Sequence, residues 1–295
     1  MNIADAIAAM EPALARVDPI GELDTAERDR PWQRVGSALV LAPLPIAAIW
    51  FGTPWLALLS AAAAAIMAWE WDRLCCGGGR SASWPVGLAL VGTVLAAVAL
   101  AALPAIGIAL CAALAGAAIV SWTARRARAE PGWAALGALW VALPCIALLW
   151  LTRQGTGSRA TLLWMLAVVW ATDTGAYAVG RTIGGPRLAP RLSPRKTWSG
   201  FAGGIGCAAL IGAATAFALG RPPGKTMLLS AGLAIIAQFG DLAESLAKRR
   251  FRVKDSSGLI PGHGGLLDRL DGLLAVIPAV ALLTWIGGGS VLGWR

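Results

Sequence analysis

With 295 residues, 57% of them hydrophobic and only 14% charged, the chain has too little polar surface to cover a soluble globule of its size, which makes it an all-α, polytopic integral membrane protein. The formal net charge of +9 does not point to nucleic acid, because the cations are scattered among short loops; anionic headgroups and phosphates suit them better. Five cysteines, Cys75, Cys76, Cys111, Cys145 and Cys207, show no CxxC spacing, so neither a disulfide framework nor a zinc site is implied.

Residues 1–36 hold seven of the 16 carboxylates and are too polar for a signal peptide. Ile3, Ile7, Met10 and Leu14 are spaced for one face of an interfacial helix. Pro12, Pro19 and Gly21 leave a solvated tail as the other reading. Apolar runs then follow at 37–52, 53–71, 84–103, 105–123, 132–151, 160–180, 200–220, 225–248 and 273–288, most of them near the roughly 20 residues a helix needs to cross the hydrocarbon. These predict about nine transmembrane helices. The Ala-rich runs at 105–123 and 200–220 are only weakly hydrophobic, which leaves one of them open as a re-entrant segment. The GGG runs at 77–79 and 287–289 lack the Lys and helix start of a phosphate loop and are expected to be turns.

Twenty of the 25 Lys and Arg residues, counting Lys248 at a span edge, fall in the N-terminal segment and the loops near 72–83, 124–131, 181–199 and 249–272. The positive-inside rule makes that side cytoplasmic, with the N-terminus inside and the C-terminus outside. Trp32, Trp50, Trp55, Trp84, Trp133 and Trp150 sit near predicted span ends, as an interfacial belt requires. Spans 37–158 have almost no polar interior and are read as scaffold, with a homodimer surface as a further use.

Ionisable groups enter the spans after residue 159, so 159–295 is read as the catalytic part. The sixth span ends in WATDTGAYAVGR, which sets Asp173, Tyr177 and Arg181 on roughly one face. Asp173 is open to two readings, a ligand-facing group or the buried partner of an Arg. The basic loop GGPRLAPRLSPRKTWSG follows, with Arg187, Arg191, Arg195 and Lys196 available for a triphosphate.

Residues 240–272 pack five carboxylates, six cations and the only histidine. Asp241, Glu244, Ser245 and Lys248 recur at i, i+3, i+4 and i+7, one stripe of the eighth span. At 1.5 Å per residue Asp241 lies about 24 Å along from Lys225, still inside a layer about 30 Å thick. An unpaired carboxylate there costs roughly 2.5–3.5 kcal/mol, so either a bound cation or a neighbouring Arg should compensate it. Asp268 and Asp271 supply a second acidic pair, which favours the cation. The PGHGG turn lets backbone N–H groups approach phosphate oxygens, with His263 expected to bond a phosphate or shape the turn.

The arrangement of Ser245, Lys248, Arg249, Lys254, Asp255, the PGHGG turn and LDRLD at 267–271 resembles the signature of the phosphatidate cytidylyltransferases, the CDP-diacylglycerol synthases. The DTGAY segment and the SPRKT loop resemble a second block of that family in the same order, so the likeness covers roughly the C-terminal 45% of the chain. Ser199 departs from it where relatives usually carry Glu, Gly272 where the block often continues with Ser, and Ala247 where a larger apolar residue is common.

The resemblance implies transfer of a cytidylyl group from CTP to phosphatidic acid at the cytoplasmic side of the inner membrane, giving CDP-diacylglycerol and pyrophosphate. It implies Mg²⁺ in a two-cation site held by Asp241 and Asp268, with Glu244 and Asp271 nearby. Lys196, Lys248, Arg249 and Arg269 would hold phosphates, Ser193 and Thr197 would add hydroxyls, and Asp173, Ser245, Lys254, Asp255 and His263 complete the substrate-binding set. A CTP-dependent polyprenol or phytol kinase and an ion-coupled transporter are the competing readings; a transporter would show broken helices in paired halves.

Overall fold

The structure, a computed structural model, describes residues 42–75, 84–103, 105–260 and 264–293. The N-terminal helix expected before residue 37, Trp32, the turn at 77–79 and His263 lie outside these residues. Nine α-helices run in order among them: α1 (Pro43–Phe51), α2 (Thr53–Cys75), α3 (Trp84–Ala102), α4 (Ile106–Arg126), α5 (Pro131–Leu151), α6 (Ser158–Thr182), α7 (Trp198–Ala218), α8 (Pro223–Arg250) and α9 (Leu267–Ile286). Eight of them, α2 to α9, are long and apolar enough to cross a membrane. The protein is a multi-pass membrane protein.

The predicted segment 37–52 corresponds to α1, nine residues long, whose upstream neighbours fall outside the described residues. Gly52, at φ 96°, breaks it from α2 in a conformation that only glycine adopts without strain. Both Ala-rich runs are continuous 21-residue helices, α4 and α7, so neither is re-entrant. Small side chains lower hydropathy without breaking a helix, and Ala is the strongest helix former.

The basic stretch expected as a loop contains an antiparallel hairpin, β1 (Arg187–Ala189) and β2 (Ser193–Thr197). Pro190 follows β1 directly, with its φ fixed for a turn, and the Leu192 amide closes that turn onto the Ala189 carbonyl at 3.1 Å.

Two apolar cores hold the helices together. One joins α2 to α5 and also takes in Ala247, Leu267 and Leu274 from α8 and α9. The other joins α1, Leu56 of α2, the end of α5, α6, Ala208 of α7, α8 and α9. Helix α9 thus belongs to both, and the part read as scaffold is packed directly against the part read as catalytic.

Because lipid is as apolar as the side chains, helices here associate through close packing of small residues. A Cβ on Gly200 would lie 2.7 Å from the Ala176 carbonyl and one on Gly204 2.9 Å from that of Thr172, which is how α7 reaches α6. A Cβ on Gly240 would lie 2.8 Å from the Asp271 carbonyl, so α8 and α9 approach closely beside Asp241 and Asp271. Helix α8, with 28 residues, is about 42 Å long, which exceeds a hydrocarbon layer of about 30 Å. Its polar stripe therefore occupies the turns that reach the membrane edge.

Candidate active site

Four segments converge at one end of the bundle: the end of α6, the hairpin, the end of α8, and the loop leading into α9. Asp173 of α6 interacts electrostatically with Asp241, Lys196 and Arg269, and Asp271 of α9 interacts with Asp241 and Asp173. The acidic stripe of α8 and the acidic pair of α9 are therefore one cluster, to which α6 adds a third source of carboxylate.

Lys196 at the end of β2 forms an ion pair with Asp241. Ser245, one turn on, lies 3.5 Å from the other Asp241 oxygen. The hairpin is fixed above α8 by Arg249, whose Nε donates to the Leu192 carbonyl at 3.2 Å. Thr197 caps α7, its hydroxyl accepting from the Gly200 amide at 3.1 Å, so that hydroxyl serves the helix. Ser199 bonds Thr197 at 3.0 Å and donates to the Gly184 carbonyl. At the position where a Glu was expected, this chain thus carries a short hydroxyl that ties the hairpin base to the end of α6. Ser193 pairs with Ala189 across the hairpin.

Asp268 is bonded through both of its oxygens. Lys248 Nζ meets its Oδ1 at 2.7 Å. Its Oδ2 accepts from the Ser256 amide at 3.0 Å, the Ser256 hydroxyl at 2.9 Å and the Gly265 amide at 2.8 Å. The same Lys248 lies 3.5 Å from Glu244, whose two buried oxygens accept no hydrogen bond among the described residues. Asp271 accepts from the Gly272 amide at 2.7 Å. Lys254 and Asp255 are exposed in the α8–α9 loop, and Arg269 is exposed on α9. The Ile260 amide bonds the Gly264 carbonyl at 2.8 Å.

Among the described residues, no three His, Cys, Asp or Glu side chains stand close enough to enclose a metal ion by themselves. That arrangement still fits Mg²⁺, which takes hard oxygen donors and is commonly held by one or two carboxylates together with substrate phosphates. The buried Glu244 carboxylate, which accepts no hydrogen bond among the described residues and lies beside Lys248, Asp268 and Asp271, is a hard oxygen donor of the kind such a cation takes.

Three residues bonded at the candidate site are absent from the sequence reading: Ser256, Ser257 and Glu70. Glu70 of α2, wholly buried, accepts from the Ser257 hydroxyl at 2.6 Å and from the Leu266 and Leu267 amides at 2.9 and 2.7 Å. The signal is present in the stretch IMAWEWDRL: a carboxylate inside an apolar span is costly and marks a function or a partner.

The model of the Cytidylyltransferase family matches residues 32–286. The chain is 39% identical over 259 residues to a phosphatidate cytidylyltransferase of Brucella suis, covering 86% of this chain and 92% of that protein. It is 36% identical over 275 residues to one of Pseudomonas aeruginosa, covering 87% of this chain and 97% of that protein. A Bacillus subtilis protein of the same name matches over 126 residues at 44% identity, covering 41% of this chain and 46% of that protein. The first two matches run well beyond the C-terminal 45% on which the sequence resemblance rested. They include the span that carries Glu70.

Proposed function

We propose that this chain, which belongs to the cytidylyltransferase family, is a phosphatidate cytidylyltransferase of the bacterial inner membrane, acting on CTP and phosphatidic acid. A phosphate oxygen of phosphatidic acid attacks the α-phosphorus of CTP. The bond from that phosphorus to the bridging oxygen of the β-phosphate breaks, and pyrophosphate leaves with CDP-diacylglycerol as the lipid product.

The observation that carries this reading is the facing of carboxylates and cations at one end of the bundle, Lys196 with Asp241 and Lys248 with Asp268. Because the lipid phosphate is itself the nucleophile, no serine or cysteine nucleophile is required. The task left to the protein is alignment and charge neutralisation. Asp241 and Asp268, with Glu244 and Asp271 beside them, would hold Mg²⁺, which when bound neutralises phosphate charge and orients the reacting oxygens. Lys196, Arg249 and Arg269 bring positive charge to the same mouth, where the triphosphate is held. The cluster belongs at the cytoplasmic membrane edge, because CTP arrives from water while the acyl chains stay in lipid.

Purified protein given phosphatidic acid, CTP and Mg²⁺ should yield CDP-diacylglycerol and pyrophosphate in equal amounts. A phosphorylated lipid with CDP would instead identify a kinase, and unchanged substrates would remove the enzyme reading. Membrane-impermeant labelling of cysteines placed in the hairpin should succeed only from the cytoplasmic side.

Lys196 offers a second test. An interaction with a charged phosphate is worth about 1.5–3 kcal/mol, so Lys196→Ala should lower kcat/KM for CTP roughly 10- to 100-fold with the fold intact. Unaltered kinetics would leave Lys196 as a surface partner of Asp241 and nothing more.

A further inference from the structure

We infer that Glu70, from the half of the chain to which the sequence assigns no chemistry, is a positioning residue for the cytidylyl transfer proposed above, on which this inference rests. It fixes the loop that presents Asp268. The first amides of a helix have no partner within it, and those of α9 receive no hydrogen bond from an N-cap side chain at Leu266. Glu70 supplies the missing acceptor from almost 200 residues away, taking the Leu266 and Leu267 amides on its two oxygens. A negative charge at a helix N-terminus is also favoured by the helix dipole.

Glu70 and Asp268 together pin both sides of the α8–α9 loop. Ser256 and Gly265 donate to Asp268, while their neighbours Ser257 and Leu266 donate to Glu70. A Cβ on Gly265 would collide with both the Ser256 hydroxyl and the Glu70 carboxylate, so the loop approaches as closely as a glycine permits. Asp268 begins one residue after the Leu267 amide that Glu70 holds. Any slack in that amide moves the carboxylate, and with it the Lys248 ammonium 2.7 Å away. A displacement of about 1 Å at a reaction centre costs on the order of 10²-fold in rate.

Glu70→Gln is the discriminating substitution, since it keeps the volume but turns an amide NH₂ toward backbone donors. If Glu70 only fills space, this variant behaves as wild type. If its carboxylate positions the loop, kcat falls about 10- to 100-fold, while KM for phosphatidic acid stays near its wild-type value. Hydrogen exchange read by mass spectrometry should then show faster exchange in 256–267 and unchanged exchange in α3 to α5. Glu70→Ala should be worse on both readouts. Wild-type kcat with unchanged exchange in Glu70→Gln would overturn the inference, as would faster exchange throughout the bundle, which would make Glu70 a support of the whole fold. Should the wild-type protein make no CDP-diacylglycerol, the reaction assignment fails, and the exchange measurement still decides whether Glu70 holds the loop.

Discussion

Asp241→Asn is expected to abolish synthesis of CDP-diacylglycerol, by at least about 10²- to 10³-fold, the loss that follows removal of one preorganised electrostatic group from a reaction centre. The substitution keeps the size of the side chain and removes the charge that a divalent cation requires. Lys196 then loses its ion-pair partner, but that pair is a quarter to a third exposed, so water can take over and the fold should survive. Asp268→Asn should also abolish turnover, with a second consequence. Three donors face its Oδ2, so whichever way the amide is turned, its NH₂ meets either these donors or Lys248. Asp268→Asn should therefore loosen the 256–267 loop, whereas Asp241→Asn should not. Exchange and turnover measured on both variants check this. Near-normal turnover with normal Mg²⁺ dependence in Asp241→Asn would reduce Asp241 to a structural partner of Lys196.

The helices were legible because a bilayer imposes a length and a composition on every span, and both can be read along the chain. What composition reads poorly is continuity: α4 and α7 draw on Ala and Gly rather than on large apolar side chains, yet both are more hydropathic than α2, and those small residues serve helix packing in lipid rather than opposing it. The hairpin was hidden because its strands are three and five residues long and rich in Arg, Lys and Pro, with no alternation for a periodicity argument to find.

Much of the candidate site's arrangement along α8 was legible from helical spacing alone. Asp241, Glu244, Ser245 and Lys248 do share one face of α8, because i, i+3, i+4 and i+7 fix a face whatever lies opposite. What spacing cannot supply is the partner across the gap. Lys248 meets Asp268 and Lys196 meets Asp241 only because glycines at 200, 204 and 240 let three helices close up. The bonds of Thr197 and Ser199 depend on where a helix starts, a boundary that sequence marks least sharply. Glu70 contacts residues almost 200 positions away, a separation over which a single sequence carries no pairing signal.

Lys248→Met should be the most destabilising change at the site, by about 3–5 kcal/mol, the cost of removing one partner from a buried ion pair. The lysine side chain is 14% exposed and compensates two carboxylates, Asp268 at 6% and Glu244 at 1%. In protein kept free of Mg²⁺, taking it away leaves two buried carboxyl groups together with no ammonium between them. By contrast, Lys196→Met removes a partner from a pair open to solvent and should cost about 1 kcal/mol or less. Thermal unfolding in detergent should separate the two variants clearly. The cause can be isolated by pairing Lys248→Met with Glu244→Gln, which removes the carboxylate that has no hydrogen-bond donor of its own. That double variant should recover part of the lost stability without recovering turnover, because the charge beside the phosphates remains missing. If Lys248→Met unfolded no earlier than Lys196→Met, the Lys248 ammonium would not be the charge that keeps Glu244 and Asp268 together, and the electrostatic account of this end of the bundle would fail.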